Sequence, residues 1–231
     1  MSKFFNPENA FFTIINKIVD TIWLSILWTV CSLPLFTIGP ACCGLYYATV
    51  KVTRRNRSYV TKEFFKGFKQ NFKVGVPASL IFLVYSWVLW IDYQYANALL
   101  ETGTDNTMGN VYFVVFVTGA VIGGFILVWI FPILSRFTVT LGQLIKSTLS
   151  ISGRHLVRTL LLVLIAAFWA LFIKVALSTI ELVSFVIFIP FAAPGVTALL
   201  RSFIIEPVLK KYQGEPAGNP EETGIDEWYR E

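Results

Sequence analysis

Five stretches of this chain contain no Asp, Glu, Lys, Arg or His: residues 21–50, 74–91, 106–135, 159–173 and 182–200. Crossing the hydrocarbon core takes roughly 20 apolar residues, with a range of about 17 to 25. Four stretches meet that length. The run at 159–173 is short, but Arg158 and Lys174 at its ends can extend their charged heads to the interface. Charged residues are only 14% of the chain, against about 25% in a soluble domain. The expectation is an all-α integral membrane protein with about five transmembrane helices over residues 21–205, and no room for a separate soluble domain. A cleaved secretory leader fits badly, because the first run is too long and no small-x-small site follows a short apolar region.

Loop charge supplies an orientation. The loop 51–73 carries eight basic residues against one acid, Glu63, and the loop 136–158 carries four basic residues and no acid. The segment 92–110 has three acids and no Lys or Arg. The positive-inside rule puts the loops 51–73 and 136–158, and the tail after Leu200, in the cytoplasm of a multi-pass cell-membrane protein. Five crossings then leave the N-terminus external. The N-terminal segment itself is neutral, since Lys3 and Lys17 balance Glu8 and Asp20.

The first run poses a length problem. Thirty residues of helix reach about 45 Å, too long for one crossing, whereas two crossings need roughly 40 residues. One crossing with an excess of about ten residues is the expected solution. A kink at Pro34 and a break at Gly39–Pro40 then lead into a short continuation ending in basic residues. Pro132 and Pro190 also lie near the inner ends of their spans, and Pro194–Gly195 repeats the Gly/Pro pairing after Pro190. The first, third and fifth helices are therefore expected to be kinked or broken. Two readings of Pro34, Gly39, Pro40, Pro132, Pro190, Pro194 and Gly195 stand side by side. Broken helices line substrate sites in transporters; they also serve as bends whose freed backbone groups are satisfied by neighbouring helices.

Two segments outside the spans read as amphipathic helices. In residues 1–20, Asn6, Pro7 and Glu8 form a helix start, and Phe11, Ile15, Ile18 and Ile22 recur on one face. In the first basic loop, Phe64, Phe65, Phe68 and Phe72 share a side, with Lys62, Lys66, Lys69 and Lys73 between them. Together with Arg54, Arg55 and Arg57, this is a candidate surface for anionic lipid headgroups, or for a docked partner. The third loop is semi-apolar, with Leu141, Leu144, Ile145 and Leu149 in helical register and Gly153 as its stop. The segment 206–231 is acidic and rich in Gly and Pro toward its end, and is expected to be a mostly disordered cytoplasmic tail.

Chemistry is sparse. The chain has none of the nucleophile-elbow, zincin, CxxC, P-loop or paired-acid motifs, and a single histidine, His155. No catalytic residue, cofactor or metal is expected. Cys31, Cys42 and Cys43 read as small packing residues. Arg136, Arg201 and Glu206 sit near the inner boundary, where each can reach the interface, so no buried carboxylate is expected in mid-span, which weakens a proton-coupled transporter. Trp87, Trp90, Trp129 and Trp169 could line a sugar site but are also what aromatic belts require. The basic residues are those that orientation and lipid contact demand, so nucleic acid is rejected as a partner.

Four segments carry a family likeness: "SLPLFTIGPACCGLYYATVKV", "FFKGFKQNFK", "RHLVRTLLLVLI" and "PGVTALLRSFIIEPVLKKY". Their order and spacing resemble the YesL-like integral membrane proteins of Gram-positive bacteria, a family whose domain has no known function. The resemblance carries no ligand or catalytic residue. It implies a link to oligosaccharide uptake, because members typically sit beside carbohydrate importers. The expected function is a non-enzymatic accessory protein that supports or regulates a carbohydrate import system, with membrane lipids and importer subunits as partners. The alternative is a small transporter or channel acting itself, as an oligomer.

Overall fold

A computed structural model describes residues 10–54, 59–102, 106–178 and 189–212. Nearly all of these are helical and none lies in a strand. We number the helices α1 (Ala10–Ser32), α2 (Ile38–Ala48), α3 (Val60–Gln70), α4 (Phe72–Thr102), α5 (Asn106–Arg136), α6 (Leu141–Arg154), α7 (Leu156–Ser178) and α8 (Ile189–Tyr212). The protein is thus an all-α, multi-pass membrane protein. Six stretches are long and apolar enough to cross a bilayer, one more than the charge-free runs suggest.

The extra stretch comes from 21–50. The expected single crossing is two helices packed against each other. α1 starts in the amphipathic segment, at Ala10, and passes position 20 without a break. It stops at Ser32, ahead of Pro34. A single 3-10 turn, Leu35–Thr37, then leads into α2, which a π-helical turn extends through Thr49–Arg54. The length argument fails because both helices run past the ends of the charge-free run, from Ala10 to Arg54. The true break is at Pro34. Gly39 and Pro40 lie in the first turn of α2, where a missing N–H costs nothing because that turn has no internal acceptor. The expected break there is overturned. So is the one at Pro194–Gly195, which sits inside the continuous α8. Pro190 falls in the first turn of α8, and Pro132 lies inside α5, near its end.

α1 and α2 form an antiparallel hairpin. Leu24 packs in one cluster with Leu45, Ala48 and Phe64, and the Trp28 indole donates to Cys42 Sγ at 3.3 Å. The tip of this hairpin is apolar and exposed at Leu33, Leu35 and Phe36. It meets α4 at Ser79. From Lys73 to Ser79 is about 9 Å along a helix, and from Ser79 to Asp92 about 20 Å more.

The packing is inverted relative to a water-soluble bundle. Outward positions are large and apolar, such as Leu160, Leu164, Phe168 and Leu171 on α7. Inward positions include small and hydroxylated residues, such as Thr21, Ser25, Ser79, Thr159 and Ser202. Lipid tails are as apolar as leucine, so helices associate through close backbone approach and interhelical hydrogen bonds. α3 shows this at the phenylalanine-rich segment. Phe64 is fully buried and Phe68 half-buried, because that face packs on α2 of the same chain. Gly44 and Gly67 lie at the crossing, where a Cβ on Gly67 would sit 3.1 Å from Gly44 Cα. Phe64 and Phe68 are thus used internally, while Lys62, Phe65, Lys69 and Phe72 stay exposed. Glu63, the lone acid of that loop, is buried and pairs with Lys51 at 2.9 Å.

α6 lies along the same end of the bundle. Its Gln143 side chain accepts the Thr140 N–H at 3.1 Å, helping to start the helix. Leu144, Thr148 and Ile151 face inward, while Ile145 and Leu149 are exposed. α8 continues through Tyr212, so residues 206–212 are helix, not tail. The remainder of the expected tail, the Asn6 helix start, Arg55 and Arg57 lie outside the described residues.

Candidate functional site

The two Gly/Pro pairs turn out to be braces between helices, built to one plan. Pro194 has no N–H, so the Pro190 carbonyl four residues earlier has no helical donor. The Thr29 hydroxyl of α1 donates to it at 2.8 Å. One turn along, Ser25 accepts the Gly195 N–H at 2.9 Å and lies 3.3 Å from the Ala192 carbonyl as donor. At α2 the counterpart is the Phe36 carbonyl, in the turn before the helix. Ser79 of α4 is placed to donate to it at 3.1 Å and accepts the Gly39 N–H at 3.1 Å. In both braces one serine meets a glycine N–H and the carbonyl three residues before that glycine. The single hydroxyl proton of each serine is shared with a carbonyl of its own helix, Thr21 at 2.9 Å and Gly75 at 2.6 Å.

Glycine is required at both points by space. A Cβ on Gly195 would overlap the Thr21 carbonyl and lie 2.6 Å from Ser25 Oγ; one on Gly39 would overlap the Gly75 carbonyl and lie 2.6 Å from Ser79 Oγ. Gly39, Pro40, Pro194 and Gly195 therefore hold α2 on α4 and α8 on α1. Ser25 and Ser79 pack directly against these two glycines.

A buried polar cluster lies at the basic end of the bundle. Arg136 of α5 forms an ion pair with Glu206 of α8, and both side chains are almost completely enclosed. Tyr46 of α2 donates its hydroxyl to the other Glu206 oxygen at 2.9 Å. Three helices are thus tied at one carboxylate. The expectation that Arg136 and Glu206 both reach the interface is overturned. Each finds a partner in the other and stays inside.

Between these features lies an apolar cleft of about 360 Å³. Trp28, Phe131, Trp169 and Ile173 form much of its wall. Pro132, Pro190 and Pro194 all line it, so the prolines of the third and fifth spans converge on one place. Arg201 closes the α8 side. Its Nε is enclosed and meets no acceptor, and no described residue offers the guanidinium a hydrogen bond or ion pair.

The other aromatic residues separate into two groups. Trp129 is buried and donates to Thr159 at 2.9 Å, whereas Trp87 and Trp90 are exposed on α4. Cys31, Cys42 and Cys43 are free thiols. Among the described residues, no three His, Cys, Asp or Glu side chains gather as a metal site would require. His155, in the turn between α6 and α7, lies 3.3 Å from the Tyr212 hydroxyl at the end of α8. Its imidazole titrates below the usual value, through desolvation first and then the charges of Arg158, Lys211 and Arg154.

Sequence reasoning placed the prolines but missed their partners. Ser25, Thr29 and Ser79 are ordinary residues in apolar runs. The usable signal was spacing: Thr21, Ser25 and Thr29 recur every four residues, one helical face of hydroxyls inside an apolar helix.

Fold and packing define a multi-pass helical membrane protein braced by Ser/Thr-to-backbone bonds. A family described as a protein of unknown function, DUF624, matches residues 21–93, from within α1 through most of α4. No curated protein and no solved structure matches the chain.

Proposed function

We propose that the protein is a non-enzymatic accessory protein of the cell membrane that supports or regulates a carbohydrate import system. The observation that carries this over a transport role is the lining of the cleft, which is apolar apart from few groups. A saccharide needs several placed polar partners, and a buried hydroxyl left without one costs about 1–3 kcal/mol. The positions most suggestive of a transport path, Gly39–Pro40 and Pro194–Gly195, are occupied by bracing serines. The link to carbohydrate comes from the YesL-like resemblance, with which the match to a family of unknown function over residues 21–93 is compatible. Deleting the protein is expected to lower oligosaccharide uptake, and importer subunits are expected to copurify with it in mild detergent. Unchanged uptake together with no copurifying subunit would sink the reading. Sugar movement by the purified protein alone in liposomes would replace it with transport.

The same proposal includes an arrangement in the membrane. The basic loops 51–73 and 136–158 and the C-terminus face the cytoplasm, by loop charge. α4, α5, α7 and α8 cross. The α1–α2 hairpin enters from the cytoplasmic side and turns back at Pro34. Its tip touches α4 only about 9 Å beyond Lys73, well short of the roughly 30 Å hydrocarbon thickness. Its exposed Leu33, Leu35 and Phe36 suit hydrocarbon. Trp23, nine residues before the end of α1, already bonds Thr61 at the start of α3, beside the basic loop. This arrangement moves the N-terminus to the cytoplasmic side, in place of the external position expected from five crossings.

A further inference from the structure

Arg136 and Arg201 lie toward the same end of the bundle and differ in their pairing. Arg136 has its counter-ion, Glu206, within the fold. Arg201 has none among the described residues, although its Nε is enclosed. Arg201 is half-buried, with its Nε enclosed, and enclosed polar groups of charged side chains are normally partnered. The group nearest to a counter-ion is Cys42, whose sulfur already accepts the Trp28 indole N–H. The described residues therefore supply no anion for this guanidinium.

The surroundings of Arg201 define what kind of anion fits it. The guanidinium borders an apolar cleft lined by Trp28, Phe131, Trp169, Ile173 and Pro190. From Arg201 to Pro190 the cleft follows α8 for about 16 Å. Its volume, about 360 Å³, falls at the lower end of the range for ligand sites. A small inorganic anion would satisfy the guanidinium and leave the long apolar wall empty. An uncharged chain would fill the wall and leave the guanidinium unpaired. A molecule with an anionic head on an acyl chain satisfies both. A phosphodiester suits a guanidinium, whose planar donors match its oxygens. Arg201 is also the first charged residue after the apolar run 182–200, which is the depth at which a lipid headgroup meets its chain.

We propose that this cleft is a binding site for one anionic phospholipid, with the phosphate on Arg201 and an acyl chain against Trp28, Trp169 and Ile173. The site is independent of the importer link, and stands or falls without it.

Native mass spectrometry of the full-length protein in mild detergent tests it. The probes are phosphatidylglycerol and phosphatidylcholine with the same acyl chains, and inorganic phosphate. The expected result is one phosphatidylglycerol retained at least tenfold better than phosphatidylcholine, and not displaced by millimolar phosphate. Arg201→Gln should reduce phosphatidylglycerol retention to the phosphatidylcholine level. Ile173→Trp, which keeps the charge and fills the far end of the cleft from the exposed helix α7, should lower it as well. Equal retention of both lipids, or displacement by phosphate alone, would overturn the proposal. So would unchanged preference in Arg201→Gln, or unchanged retention in Ile173→Trp. If Arg201→Gln does not fold, the thermal midpoint of the unmodified protein decides. Phosphatidylglycerol must raise it more than phosphatidylcholine does, and equal shifts would overturn the site.

Discussion

Single atoms decide whether the helices of this bundle can meet. Gly195 is the clearest case, since any side chain there must push α1 away from α8 at the Thr21 carbonyl. Gly195→Ala is expected to cost about 1–3 kcal/mol, the usual range for overpacking, read as a lower thermal midpoint in detergent. Gly153, also helical, has nothing within 4 Å of a built Cβ. Gly153→Ala is expected to be neutral or slightly stabilising, by up to about 1 kcal/mol of helix propensity. Equal effects at the two glycines would refute the brace. At the buried carboxylate, Glu206→Gln leaves Arg136 without its counter-charge and is expected to cost about 3–5 kcal/mol. Replacing both Arg136 and Glu206 by leucine should cost clearly less than the sum of the two single replacements. A double-mutant cycle on thermal stability measures the difference, and additivity would mean that the pair contributes no coupling.

At the level of elements, charge-free runs were enough to find the apolar helices of α4, α5, α7 and α8. They failed at α1 and α2, for a physical reason. A run free of charge marks what can enter hydrocarbon, whereas helix ends follow from backbone geometry. Lys17 and Asp20 do not end α1, and Lys51 does not end the helical path of α2. Pro34 does, because the residues before a proline are pushed out of helical conformation. The braces were legible only in half. Proline positions predict free carbonyls, but a sequence does not say which hydroxyl will reach them. The same limit hid the cleft, whose walls come from α1, α2, α5, α7 and α8. The proposed re-entrant arrangement of the α1–α2 hairpin makes a topological prediction. A reporter fused to the N-terminus should report the same side as one fused after Tyr212, in spheroplasts probed with an impermeant label. Opposite sides would require the α1–α2 hairpin to contribute an odd number of crossings, and would restore the external N-terminus.

Over the whole molecule, net charge is +5, and its basic groups crowd one end. The junction of α6 and α7 is a sensitive point, because His155 touches Tyr212 of α8 within a field of Arg154, Arg158 and Lys211. Both desolvation and these cations disfavour the imidazolium, so the folded pKa lies below the ordinary value of about 6.5. The unfolded chain therefore binds this proton more readily than the folded one between the two values, and stability rises with pH across that window. Above about 6.5 the histidine is neutral in both states and its contribution is flat. Acidification from pH 7.5 to 5.5 should lower the thermal midpoint. Proteolysis near Tyr212 should quicken as the imidazolium forms among its three cationic neighbours. His155→Gln keeps a polar side chain at the junction but cannot titrate, so it should flatten this part of the pH dependence. Higher salt should reduce the slope in the unmodified protein, because part of it is repulsion between groups near the surface. A pH profile identical in the two proteins would show that the basic end responds to acid through other groups.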